Sequence, residues 1–445
     1  MNKHLSLAII LAVFALFSFF LVFHNDAVWW DSAVYIGMGK YIWSGGEAGL
    51  FESSRPLVLL FLLGFFWKIG VNEFIAAKFL AVFFSLGTIF LVYVLGNRLY
   101  GERVGILAML FVAFSQTFLS FSHPPLTEIP STFFLLLGLW LFFEKKHFPA
   151  GILLGMSFLT RFFQIFFIAF FLITLFLSTK NRAGHFTMLK GLGLVVFPYF
   201  ILSWAMFGSP LDPFIMQFYL STNTGVIYSE HMFFYVIGLL KENFFVLALL
   251  ALPLIKLSKE TKTIAIPTLL TFLIYSAFSH KEMRLLLVIL PFIMIITAHS
   301  AVSLYHLVSK LQKETAKAIS VSLIAFWLAL SFANIMPLLN SNNPINSQEQ
   351  LFQAYMEKHQ DKEYWISSPK YALFSDAKVL GLMYYPIVGK NPDVALANSC
   401  DFIGNNEAYT KKTSQHVAFV EQTMENTYTA AENGCVYRIF KKATS

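Results

Sequence analysis

Cysteine is almost missing from this chain of 445 residues: there are two, Cys400 and Cys435, both in the polar C-terminal stretch. Their spacing excludes Cys-x-x-Cys, zinc and haem motifs, and leaves either one disulfide, in an oxidising exterior, or two unpaired thiols. Charge is scarce as well. Asp, Glu, Lys and Arg make up 13% against 57% hydrophobic and 17% aromatic residues, and mean hydropathy is +0.64, far from soluble globular chains. Asp-x-Asp, Walker A and Gly-x-Gly-x-x-Gly motifs are absent. A nucleotide or nucleotide sugar held through a metal or a glycine-rich loop therefore has no visible site. Internal repeats and low-complexity segments are missing too.

What remains is long apolar runs separated by short basic turns. The net charge of +7 would suggest nucleic acid in a soluble protein, but Lys and Arg sit mainly in those turns. That is the pattern of membrane topology control, and no nucleic-acid partner is expected. Residues 5–23 match the roughly 20 residues a span needs, follow Lys3 and precede no cleavage-like site, so they read as an uncleaved first helix with its N-terminus cytoplasmic. Residues 57–70 are short for a span, and charge parity decides whether they cross. If they do not cross, the later basic turns (Arg98/Arg103, Lys145/Lys146, Lys180/Arg182/Lys190, Lys256/Lys259/Lys262, Lys310/Lys313/Lys317) share the N-terminal side, and a re-entrant or interface-lying helix follows. Further spans are expected at 74–96, 104–121, 127–143, 149–162, 164–178, 187–207, 232–255, 263–278, 285–306 and 318–338. The expectation is an all-α polytopic cell-membrane protein of about eleven transmembrane helices.

An odd number of spans puts the tail outside. Residues 1–339 form the transmembrane domain, with a first outer loop at 24–56; 340–350, rich in Asn, Ser and Pro, read as a linker; 351–445 read as a small extracytoplasmic α/β domain. Within it EYWISSP and CVYRIFK resemble strands, and HVAFVEQTMENTYTAAE reads as a helix.

The topology gathers ionisable residues at the outer face: Asp31, Arg55, His123, Glu128, Arg161, Lys281, Glu282 and Arg284. A charge at membrane depth costs about 2.5–3.5 kcal/mol on insertion scales, so such residues read as functional, with interface snorkelling or a structural ion pair as the alternative. Asp31 follows Trp29 and Trp30 and is either a helix N-cap or a site acid; Glu128 either caps the next helix or pairs with Asp31 across the site. Arg161 interrupts FLTRFFQ as an anion ligand. The densest cluster is Ser279-His280-Lys281-Glu282-Met283-Arg284 at the mouth of a helix, fit to bind phosphate or a sugar, or else a solvated helix end.

The stretch HKEMRLLLVILP resembles the His-Lys-Glu-x-Arg signature of polyprenol-dependent mannosyltransferases acting on lipid-linked glycans and glycolipid anchors. The front of the chain, with an acid in the first outer loop, Arg55-Pro56 and then GVNEFIAAKFLAVFFSLGTIFLVYVLGNRLYG, is similar to the protein O-mannosyltransferase and aminoarabinose-transferase group. Both belong to the GT-C class of membrane glycosyltransferases, and the resemblance covers roughly residues 1–310. It departs from that pattern where a single Asp precedes Ser32, in place of an Asp-Glu pair, and where Arg55-Pro56-Leu57 lacks a preceding His or a second Pro.

The resemblance implies a polyprenyl-phosphate (dolichyl- or bacterial-type) sugar donor, transfer of a mannose-like hexose with inversion on the extracytoplasmic face, and a lipid, glycan or protein acceptor. Asp31 matches the first-loop catalytic acid and Glu128 a second acid; Arg55, Arg161, Lys281 and Arg284 would hold the donor phosphate, and His123, His280 and Glu282 the sugar or acceptor. The chemistry suits the residue types, since displacing phosphate from an anomeric carbon needs a base for the incoming hydroxyl and cations on the leaving group. A divalent metal between Asp31 and Glu128 is conceivable, and no other cofactor is expected. The competing classes are a lipid or glycan transporter, which would show repeated halves and broken helices, and a non-catalytic subunit of glycan assembly, which would tolerate loss of Asp31.

Overall fold

The computed structural model describes residues 3–442 except 26–27, 179–180, 225–227, 255–257, 311, 340–346, 386, 388–389 and 402–406. Asp26, Lys180, Lys256 and most of the expected linker lie outside the described residues. Helices fall on every apolar run. They are α1 (Lys3–His24), α2 (Trp30–Ser44), α3 (Leu57–Lys68), α4 (Glu73–Tyr100), α5 (Glu102–Ala113), α6 (Gln116–Ser120), α7 (Glu128–Phe143) and α8 (His147–Thr160). There follow α9 (Gln164–Ser178), α10 (Arg182–Phe207), α11 (Asp212–Thr224), α12 (Phe234–Glu242), α13 (Lys259–Ala277), α14 (Leu290–Ser309) and α15 (Lys313–Leu339). Two 3₁₀ segments, Phe244–Leu254 and Met283–Val288, extend α12 and lead into α14.

Among the described residues five helices are long and apolar enough to cross a bilayer: α1, α4, α10, α14 and α15. Shorter apolar helices, α3, α7, α8 and α9, pack among them. The run 104–121 is broken at Ser115, whose hydroxyl caps α6. The pair of helices expected around Arg161 is present, because α8 ends at Thr160 and Arg161 takes an extended conformation. Large aromatic side chains, among them Phe111, Phe118, Phe167, Phe171, Phe292 and Trp327, are fully buried where these helices meet. Outward faces of α1, α10 and α15 keep Leu16, Phe197 and Phe326 exposed, as a lipid-facing surface requires.

The 12 residues of α3 span about 18 Å at 1.5 Å per residue, short of a ~30 Å hydrocarbon core. It lies instead against α2. A Cβ built at Gly64 would sit 2.2 Å from the Gly39 carbonyl oxygen, so only glycine at this crossing lets the two backbones touch. The turns at Arg98 and Glu144 are paired at 3.4 Å, and His147 meets Asn181, so these basic turns gather at one end of the molecule.

The C-terminal domain comprises α16 (Ser347–Lys358), β1 (Glu363–Ile366), β2 (Lys378–Leu382), β3 (Val394–Asn398), α17 (Glu407–Thr423), β4 (Glu425–Glu432) and β5 (Cys435–Lys441). The sheet order is β2-β1-β3-β5-β4, with β1 parallel to both neighbours and β5 antiparallel to both of its own. EYWISSP and CVYRIFK supply β1 and β5 as expected. The helix expected over 416–432 is only half right: α17 stops at Thr423 and 425–432 form β4. The reason is the Asn433-Gly434 turn, both residues at positive φ, which closes a β4–β5 hairpin of primed type. α16 starts at Ser347, inside the stretch read as linker. Cys400 and Cys435 form a disulfide.

This domain packs on the first loop. Gly49 exchanges backbone hydrogen bonds with the β2 region, donating to Ala377 O at 3.1 Å and accepting from Val379 N at 2.9 Å. Lys40, 1% exposed, pairs with Glu73 at 2.7 Å and Asp376 at 3.3 Å and donates to the carbonyls of Leu373 and Ser375, tying α2, α4 and the domain together.

Candidate active site

Four separate segments converge on Asp31. It lies in the first turn of α2, but Trp29 is the N-cap position and no side chain caps the helix, so Asp31 does not act as the cap. Its carboxylate instead receives two guanidinium groups, Arg55 Nη1 on Oδ1 at 2.9 Å and Arg284 Nη1 on Oδ2 at 2.7 Å. Arg55 comes from the turn before α3 and Arg284 from the 3₁₀ segment before α14. Burial alone would raise the Asp31 pKa; the two arginines outweigh it and hold the group well below the usual carboxylate range. Asp31 is therefore ionised.

Glu128 is the first residue of α7 and 1% exposed. It pairs with Arg161 at 3.0 Å, not with Asp31, and lies 3.9 Å from Arg284 Nε, so Arg284 stands between the two acids. Arg161, freed by the break between α8 and α9, also donates to Thr127 Oγ1 at 3.0 Å. Among the described residues Glu128 Oε2 and Arg161 Nε are buried without a hydrogen-bond partner, which leaves polar capacity unused inside the cluster.

Glu282 completes the ring, bound by Arg284 Nε at 2.8 Å and by His280 Nε2 at 2.8 Å. Burial pushes its pKa up, but His280 and Arg284 bring it below the ordinary value. Arg161 and His280 border a pocket walled by Phe163, Tyr235, Tyr275, Phe278 and Leu285. Lys281 turns aside: its Nζ donates to the Glu230 carbonyl at 2.8 Å and its N–H to Tyr228 O at 3.0 Å, where 229 and 280 form a bridge. His123 sits apart on Asn25, whose amide donates to Nε2 at 3.3 Å; burial and the Lys78 ammonium lower its pKa to about 4, so it is neutral. Among the described residues no three Asp, Glu, His or Cys side chains are placed to share a metal.

Residue types alone did not point to Tyr35, Thr127 or Tyr384. Tyr35 meets Arg55 at 3.5 Å and Thr127 at 3.4 Å, and Glu52, with no exposed surface, takes the Arg55 Nε. Glu52 was visible as a loop charge; its partner Tyr384 is 332 positions away and no local pattern joins them.

The helical layout with a small docked domain is that of the GT-C class of membrane glycosyltransferases. Residues 5–367 match the Alg9-like mannosyltransferase family, and the chain belongs to it. Among solved structures it is similar to ArnT from Cupriavidus metallidurans bound to undecaprenyl phosphate, with a TM-score of 0.67 at 12% identity, covering 98% of each chain. The archaeal oligosaccharyltransferase AglB from Archaeoglobus fulgidus, in complex with an inhibitory peptide and a dolichol-phosphate, gives 0.62 at 12% identity over 97% of this chain and 74% of that one. The mycobacterial arabinofuranosyltransferase AftD gives 0.52 at 10% identity over all of this chain and 40% of that one. These likenesses establish the fold. A curated relative, an uncharacterized protein of Aquifex aeolicus, is 26% identical over 240 residues, 50% of this chain and 43% of its own length. The chain thus spans less than half of that relative.

Proposed function

We propose that this protein transfers a mannose-like hexose from a polyprenyl-phosphate carrier to an acceptor hydroxyl on the extracytoplasmic face, with inversion and with Asp31 as general base. The observation that carries this reading is the part-buried Asp31 carboxylate clamped between Arg55 and Arg284, beside the Glu128–Arg161 pair. An ionised carboxylate takes the acceptor's proton as the acceptor oxygen bonds to the anomeric carbon. The bond from that carbon to the phosphate oxygen breaks on the opposite side, and its electron pair leaves with the polyprenyl phosphate.

The same arginines suit the departing phosphate. A guanidinium fork binds carboxylate and phosphate with one geometry, so a donor phosphate entering beside Arg55, Arg161 and Arg284 would share their hydrogen bonds with Asp31. Asp31 then becomes more basic only once donor is bound. Lys281, on the Glu230 carbonyl, would need to swing to reach that phosphate; His280 and Glu282 would meet the sugar from the aromatic pocket. An extracytoplasmic site is supported by the basic turns gathering at the far end from Asp31, and by the C-terminal domain docking at the Asp31 end.

The test is transfer by purified protein from a panel of labelled polyprenyl-phosphate sugars and, in parallel, nucleotide sugars, with the anomeric configuration of the product read by NMR. Transfer from one lipid donor with inverted configuration is expected. Transfer from a nucleotide sugar, or retention, would refute the reading.

A further inference from the structure

The first loop does not hold Arg55 alone. Glu52 is completely buried, and among the described residues its carboxylate oxygens are met by Arg55 Nε at 2.5 Å on Oε2 and by the hydroxyl of Tyr384, from the C-terminal domain, on Oε1. Tyr384 is 6% exposed, and its ring packs 5.0 Å from that of Trp30, the residue before Asp31. A continuous chain thus runs Tyr384–Glu52–Arg55–Asp31 from the soluble domain into the site.

We propose that Tyr384 is a positioning residue, through which the C-terminal domain sets the orientation of Arg55 and hence the charge environment of Asp31; this rests on the catalytic reading above. A buried carboxylate with two acceptor oxygens must find a donor for each, because an unpaired one costs the desolvation of a charged group. With Tyr384 in place, Glu52 is locked and Arg55 has one rotamer that satisfies Glu52 and Asp31 together. Without the hydroxyl, Glu52 turns toward Arg55 or water, and the Arg55–Asp31 contact loosens. The domain is then a part of the active centre, and undocking it would switch the centre off. Among the described residues the hydroxyl of neighbouring Tyr385 meets Ser53 Oγ at 3.0 Å and the Ser54 N–H at 3.3 Å, so it shares the interface without entering the chain.

The experiment compares Tyr384→Phe, which keeps the ring against Trp30, with Tyr385→Phe in the full-length protein. Tyr384→Phe is expected to lower kcat/KM about tenfold or more, the loss of a hydrogen bond to a charged group, and to move the acid limb of its pH profile upward as Asp31 loses Arg55. Tyr385→Phe is expected to change neither by more than about twofold. Equal behaviour of the two variants, or an unmoved limb in Tyr384→Phe, would overturn the proposal. Should the wild type transfer no sugar, the catalytic reading fails separately. The positioning chain is then judged by thermal unfolding in a double-mutant cycle of Tyr384→Phe with Arg55→Lys, where non-additive midpoints support it and additive ones refute it.

Discussion

At the scale of single residues, the site resolves a conflict between burial and charge. Asp31, Glu128 and Glu282 would each be expensive to bury alone; Asp31 and Glu128 are matched by arginines arriving from other segments, and Glu282 by Arg284 two positions along its own. The sharing of those arginines has a kinetic consequence. Asp31 has its pKa depressed in the free enzyme, so the proton-accepting form persists down to low pH and is lost only as pH falls through that depressed value. If, as proposed, donor phosphate draws on Arg55 and Arg284, the depression lessens. The acid limb of kcat, which reports the enzyme–substrate complex, is therefore expected at higher pH than that of kcat/KM, which reports the free enzyme; coincident limbs would show that phosphate does not compete for the arginines. Several of these residues stand out in the sequence because a charge near an apolar run has few bland explanations: Asp31, Arg161, Glu282 and Arg284 all meet in one cluster. His123 was singled out for the same reason but is held neutral on Asn25, and Lys281 shows that adjacency in HKEMR does not make side chains point together.

At the scale of elements, the first loop is shaped by α2 and α3 crossing at glycines. Gly64→Ala forces a Cβ against the backbone oxygen of Gly39, where no side chain can yield, and is expected to cost about 1–3 kcal/mol. Gly193→Ala, on α10 with open space around its Cβ, serves as the control and should leave the unfolding midpoint unchanged or slightly higher. Thermal unfolding in lipid nanodiscs measures both; equal midpoints would show that the crossing is looser than described. Periodicity and length were enough to find the helical runs, because a membrane helix must satisfy its backbone internally and so is continuous and apolar. They could not find α11, which lies in a mixed polar stretch, although Asp212-Pro213 is a helix-start signal. They also extended a helix through β4, where the Asn433-Gly434 pair outweighs helical propensity by setting a hairpin.

At the scale of the whole molecule, the apolar helices and the C-terminal domain are joined through the first loop. The contacts that join them run from Lys40, Gly49 and Glu52 to residues more than 300 positions away, and such pairings are set by tertiary packing and leave no local pattern. That is why the charged cluster was legible in the sequence and its contacts with the C-terminal domain were not. The fold carries the family's layout, yet at 12% identity its solved neighbours speak to architecture and not to substrate. The central claim is that Asp31 performs the chemistry on a lipid-linked sugar. It is tested most directly by sugar transfer in purified membranes from labelled polyprenyl-phosphate donors, comparing wild type with Asp31→Asn at matched expression. A loss of about 10²–10⁴-fold in the variant, the range for a missing general base, is the expected result. Transfer undiminished by the substitution would contradict it and move the role of base to Glu128.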